Sequence, residues 1–189
     1  MLKIKEWYQL KEKNKFSIDI ENIKINSLIC SIPKNILIKY LNNVEKKGRV
    51  IVCQKKKIIG LLIFETNPIR SIKFLKKNLI DIIFGLLIKK NLRSKIILIK
   101  YFIDYIFFKK INLKNQIILL AVKENFRNIG IGKKLINFLL KKKYQSICVT
   151  SDFNNYRAHN FYQKNNFFFY ENINLGLRKI KVFKRLINI

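Results

Sequence analysis

LLAVKENFRNIGIGKKL, residues 119 to 135, holds two of the chain's six glycines, Gly130 and Gly132, one residue apart and directly ahead of a strongly helical sequence. Glycine costs about 1 kcal/mol against alanine inside a helix, so a pair at a helix start implies a need for bare backbone. The run that leads in, QIILLAV at 116 to 122, has the length and apolar character of one buried strand. The run that leads out, IGKKLINFLLKKK, keeps helical periodicity through Ile131, Leu135 and Leu139. Strand, glycine loop and helix together make an anion site. The first N–H groups of a helix are unpaired, and its dipole places partial positive charge on them.

Spacing separates the loops of this kind. A P-loop requires glycine at 127 and Ser or Thr at 134, where the chain has Arg127 and Lys134. A dinucleotide fingerprint requires a third glycine at 135, which is Leu135. Both fail, and Arg127-x-x-Gly130-x-Gly132 remains.

Outward from the loop, RVIVCQKKKIIGLLIFE reads as an antiparallel hairpin over 49 to 65, with Gly60 marking a bulge or a close backbone approach. Before it lies a short first strand and a helix in SIPKNILIKYLNNVEKK, with Ile36, Leu37, Tyr40, Leu41 and Val44 on one face and a start near Ser31. After Pro68, to about 110, a lysine-studded segment with Phe74, Leu75, Leu79, Ile82, Ile83, Leu86 and Leu87 predicts two or three amphipathic helices. SICVTSD gives a strand at about 146 to 151, and Asn155 to Lys164 reads as a helix. The last segment reads as two strands joined by a turn around Asn172 to Gly176. The expected fold is α/β (α+β), a single domain over 1 to 189 with a mixed central sheet flanked by helices and a helical insert at about 68 to 110.

Composition bounds the rest. Lys and Arg number 40 against 11 Asp and Glu, a formal charge of +29. Such an excess favours nucleic acid or an anionic membrane surface. Lysine is nevertheless spread over nearly every segment beside abundant isoleucine and asparagine, as an AT-rich coding sequence would produce. Nucleic acid is therefore not the expected partner, while peripheral membrane contact through the insert stays open. No apolar run reaches the roughly 18 residues of a membrane span, and the first residues lack the apolar stretch of a signal peptide, so a cytoplasmic protein is expected. Cys30, Cys53 and Cys148 are scattered and odd in number, which reads as reduced core residues. No metal site is expected.

The loop resembles the pyrophosphate loop of the GNAT superfamily, the GCN5-related acyl-CoA N-acyltransferases, whose pattern is Q/R-x-x-G-x-G/A. Glu124, Asn125 and Asn128 depart from the family's run around it. Asn155, Ala158, Phe161, Tyr162 and Phe167 fall at the spacing of the family's N-x-x-A-x-x-L/F-Y-x-x-x-G-F segment. Asn166 stands where that pattern has glycine, a mild departure because asparagine tolerates left-handed backbone.

The resemblance implies an acetyl-CoA-dependent acetyltransferase acting on a primary amine, with no metal. It implies coenzyme contacts from Leu120, Ala121, Val122, Arg127, Asn128, Ile129, Gly130, Ile131, Gly132, Lys133, Asn155 and Ala158. Asn155 alternatively serves as a helix cap. Tyr162 is implied as the acid that protonates the departing thiolate. His159, the only histidine, is expected as a partly exposed helix residue.

The base is missing from the matched motifs. Many relatives place a glutamate early on the strand before the loop, where this chain has Gln116; Glu65, Asp104 and Asp152 are candidates on position alone. By the placement of its insert the chain resembles bacterial members associated with surface polysaccharide, which suggests an amino-sugar nucleotide acceptor. The alternatives are acetylation of a protein N-terminus or lysine, or a non-catalytic nucleic-acid or membrane-surface binder on the same fold. Monomer and homodimer are both open.

Overall fold

The computed structural model describes residues 2–10, 33–46, 48–88, 96, 113–142, 144–175 and 178–187. The elements are β1 (Lys3–Glu6), a 3-10 turn (Trp7–Gln9), α1 (Lys34–Glu45), β2 (Gly48–Gln54), β3 (Ile58–Glu65), α2 (Ile69–Lys77) and α3 (Leu79–Ile88). There follow β4 (Gln116–Val122), a 3-10 turn (Glu124–Phe126), α4 (Ile131–Leu140), β5 (Ser146–Asp152), α5 (Tyr156–Lys164), β6 (Phe168–Leu175) and β7 (Arg178–Leu186).

Seven strands form one sheet in the order β1-β2-β3-β4-β5-β7-β6. Every neighbouring pair is antiparallel except β4 and β5. All eight positions of β3 are buried, as suits a strand covered on both faces. One face packs Val50, Val52, Leu61 and Ile63 against Trp7, Leu37, Tyr40 and Leu41. The other packs Ile51, Leu62, Phe64, Ile117 and Val149 against Leu135, Ile136 and Leu139 of α4 and Tyr162 of α5.

The expected hairpin, coenzyme strand, loop helix, β5 and α5 lie within a residue or two of their predicted bounds. One turn does not. Asn172 to Leu175 are still in β6, paired through Leu175↔Arg178, so the connection falls at 176 and 177, outside the described residues. The alternation of Asn172, Ile173, Asn174 and Leu175 is that of an edge strand, and the asparagines had given it the look of a turn.

The helix of residues 34 to 45 starts at Lys34 after Pro33, whose fixed φ suits that position, with no side-chain cap. Ser31 and Cys30 lie outside the described residues, as does the insert beyond Ile88 apart from Ile96. Cys53 and Cys148 are buried free thiols. Gly60 is a point of close approach, because a Cβ there would stand 2.9 Å from Ile131 Cγ2. Its bare backbone lets the first turn of α4 rest on the sheet beside Val122, its partner across β3 and β4.

Candidate active site

β4 and β5 are paired only at Gln116↔Cys148 and Ile117↔Val149. Immediately beyond, the register between β3 and β4 skips Ile118. A bulge of this kind bends a strand and interrupts its ladder. Ile118, Leu120 and Val122 are consequently half-exposed in the middle of the sheet, while Leu119 and Ala121 are buried. Beyond Ile117 the two parallel strands are no longer paired, a gap in the ladder that leaves that side of β4 without a strand partner.

The loop stands at the open end of that gap. Arg127 Nε donates to the carbonyl of Val122 at 3.1 Å and so ties the loop back to the strand. Asn128 has φ 64° and Gly130 φ 80°, and Asn128 Oδ1 accepts from Arg157 Nη2 at 3.4 Å. Asn128 thus stands at a left-handed position where the resembled pattern has glycine, and asparagine is the least costly substitute there. The N–H groups of Gly130, Ile131, Gly132 and Lys133 have no acceptor among the described residues, and the first helical bond across the turn is Lys134 N–H to Gly130 O. A Cβ on Gly130 would meet nothing within 4 Å. Four amides without an internal acceptor therefore stand in a row at the helix start, with open space above Gly130. Lys133 and Lys134 are exposed beside them, whereas Ile129 is exposed and Ile131 is buried, leaving Ile131 only its amide to offer.

Gly132 has a different neighbour. A Cβ there would stand 2.9 Å from Phe161 Cζ of α5. The expectation that both glycines are bare for a ligand meets a structural reason at each: the left-handed φ at Gly130, which has open space above it, and the packing of two helices at Gly132. No spacing rule in the sequence pairs Gly132 with Phe161.

On α5, Asn155 is the cap, its Oδ1 accepting from Ala158 N–H at 3.1 Å. That bond occupies the Ala158 amide, and the Ala158 side chain packs partly buried against the core. Tyr162 is buried among Phe161, Phe167 and Phe183. Burial alone pushes its phenol well above the ordinary tyrosine value, so it is held protonated. His159 corrects an expectation. It is buried rather than partly exposed, with Nε2–H donating to the Asp152 carbonyl at 3.0 Å and its ring against Tyr156 and Phe183. Desolvation lowers its pKa against the opposing effect of the Asp152 bond. A neutral donor fixed in this way is a structural group.

Asn166 has φ 62° just past α5, the left-handed conformation its family position requires. Asn166→Ala is expected to lose about 1 kcal/mol of stability and Asn166→Gly to lose none, as read by denaturant midpoints.

The candidates for the base separate clearly. Asp152 is largely exposed and pairs with Arg178 Nη1 at 3.1 Å. Asp104 lies outside the described residues. Glu65 and Gln116 are buried side by side at the paired ends of β3 and β4.

Residues 94–167 match the model of the acetyltransferase (GNAT) domain. Over that stretch, less than half of its length, the chain is similar to the GNAT domain. Its fold is similar over the whole of both chains to that of a GNAT-family acetyltransferase from Streptococcus pneumoniae, with TM-score 0.62 and 12% identity. A GNAT-family acetyltransferase from Bacillus cereus gives TM-score 0.60 and 12% identity, covering 100% of this chain and 99% of that one. An acetyltransferase from Thermus thermophilus gives 0.58 and 11%, covering 99% and 97%. At such identities the likeness is one of fold. No curated protein sequence matches the chain significantly. The match to the acetyltransferase domain model supports an acyltransferase, and the parted strands with the amide-lined loop are the features of this chain that fit a coenzyme.

Proposed function

We propose that this protein transfers an acetyl group from acetyl-CoA to the primary amine of a small molecule, an amino-sugar nucleotide being the class that suits its basic surface. The observation that carries the reading is the row of four amides without an internal acceptor at Gly130 to Lys133, with open space above Gly130, at the end of the gap between β4 and β5.

Acetyl-CoA supplies a thioester, an electrophilic carbonyl with a thiolate leaving group. The amides of residues 130 to 133 hold the pyrophosphate, with charge added by Lys133 and Lys134. Arg127, through its bond to Val122, holds the loop in register with the strand end. The half-exposed edge of β4 offers main chain to the pantetheine arm, and N–H groups there steady negative charge on the carbonyl oxygen. Tyr162, protonated through the working pH range, donates its proton to the departing sulfur. Binding amine and thioester together supplies the orientation.

Thermal unfolding with acetyl-CoA tests the site. At 100 times the dissociation constant the wild type should gain about 2.7 kcal/mol, roughly 5 to 10 °C in midpoint. Gly130→Asp is expected to abolish the rise by placing a carboxylate among the amides, while folding at a cost of about 1 kcal/mol because aspartate caps helices well. A rise that persists in Gly130→Asp overturns the loop assignment. For the acceptor, radiolabelled acetyl-CoA is offered with amino-sugar nucleotides and with a lysine-containing peptide. Label appearing in the peptide alone overturns the small-molecule reading in favour of protein acetylation.

A further inference from the structure

Glu65 and Gln116 form a buried polar pair that the transfer reading leaves unused. They stand opposite each other at the ends of β3 and β4, where Cβ atoms of facing residues lie about 5 Å apart. Their exposures are 5% and 3%. Both lie on the α1 face of the sheet, since Leu61 and Ile63 before Glu65 pack with Tyr40, and Ile117 after Gln116 packs on the opposite face. The Tyr40 hydroxyl lies 3.4 Å from Glu65 Oε1.

Gln116 is oriented by its Nε2, which donates to Thr150 Oγ1 at 3.2 Å across the first paired residues of β4 and β5. Its Oε1 is then left buried with no hydrogen-bond partner among the described residues. A buried acceptor left without its bond is costly, so the oxygen waits for a donor. The next residue, Ile117, is the last one paired to β5, so this oxygen and the carboxylate stand at the closed end of the gap. Two acceptors on one face, a carboxyl and a carboxamide oxygen, match a group with several N–H donors. A primary ammonium is that group.

We propose that Glu65 is the base that deprotonates the acceptor amine, and that Gln116 Oε1 receives a second N–H of the same nitrogen and orients it. This rests on the acyl-transfer reading and supplies the base it lacks. A family glutamate on β4 would thus be replaced by a glutamate one strand over, with glutamine left as its partner. The protons balance. The ammonium gives one proton to Glu65, which returns it to solvent. The nitrogen lone pair forms the C–N bond as the C–S bond breaks, and sulfur takes the proton of Tyr162. The nitrogen's second proton, lost as the amide forms, replaces the one Tyr162 gave.

The test uses the full chain, acetyl-CoA and two probe amines, with thiol release as the readout. Ethanolamine is protonated at neutral pH and needs a base, whereas hydroxylamine is already neutral. Glu65→Gln is expected to slow ethanolamine acetylation about a hundredfold, to slow hydroxylamine acetylation far less, and to keep the thermal rise with acetyl-CoA. The exchanged pair Glu65→Gln/Gln116→Glu keeps one carboxylate and one amide in the same place and should recover most of the ethanolamine rate, which a folding defect would not allow. Unchanged ethanolamine turnover in Glu65→Gln, an equal loss on both amines, or an exchanged pair no faster than the single variant overturns Glu65 as the base. A wild type that binds acetyl-CoA yet acetylates neither these amines nor an amino-sugar nucleotide overturns the transfer reading, and this inference with it.

Discussion

Gly132→Leu is expected to lower stability by about 3 kcal/mol, and truncating a ring on another helix should recover most of that loss. The cause is the contact between α4 and α5. With the Gly132 Cβ position only 2.9 Å from Phe161 Cζ and 3.1 Å from Phe161 Cε2, any side chain must push that ring away. The ring has little room to retreat, because it is partly buried in the core and stands 5.6 Å, centroid to centroid, from Tyr162. In a chain of this length the loss corresponds to a midpoint fall of roughly 6 to 12 °C.

Phe161→Ala removes the obstructing atoms, so the double variant should melt well above Gly132→Leu alone. Additive losses in the double variant would instead place the strain elsewhere. Because the displaced ring leans on Tyr162, substitutions at Gly132 disturb the loop and the acid together. Gly130, which has open space above it, is the glycine at which a side chain probes the ligand without probing the core.

What the sequence disclosed and what it withheld follow from the range of the interactions. QIILLAV, IGKKLINFLLKKK and SICVTSD were legible because one strand or helix buries one periodic stretch, and their bounds follow from that stretch alone. The left-handed backbone at Asn166 was equally legible, since a family glycine position states a φ requirement that asparagine can meet. Contacts between elements distant in the chain were not. His159 is buried because β5 and β7 bring the Asp152 carbonyl and Phe183 to it, and nothing within one helical turn of it reports either group. The bulge at Ile118 is also invisible locally, because it is a property of the pairing between β3 and β4. Glu65 was one acidic residue among several until register set it against Gln116. Periodicity locates elements, and register assembles sites.

Tyr162→Phe should reduce kcat about a thousandfold while leaving the KM for acetyl-CoA and the acetyl-CoA thermal shift nearly unchanged. Tyr162 is an acid only if its proton is present and aimed at sulfur. Burial secures the first condition by raising the pKa, since desolvation is the sole cause of the shift. The variant keeps the ring and its contacts with Phe161, Phe167 and Phe183. Removing the hydroxyl should therefore change stability at neutral pH by no more than about 1 kcal/mol. An alkaline titration tests the burial of the hydroxyl, and turnover of the same variant separates the acid from a packing aromatic. Below pH of about 10 tyrosine is protonated in the folded and unfolded chain alike, and Tyr162 gives no pH dependence. Above it the unfolded chain releases this proton and the folded chain does not, so stability falls as pH rises. Tyr162→Phe lacks that contribution and should lose less stability than the wild type between pH of about 9 and 11. A shallower alkaline slope with unchanged turnover would leave Tyr162 as buried packing alone. The same slope with turnover lost would confirm the proton donor, because the group that resists ionisation would then be the one the departing sulfur needs.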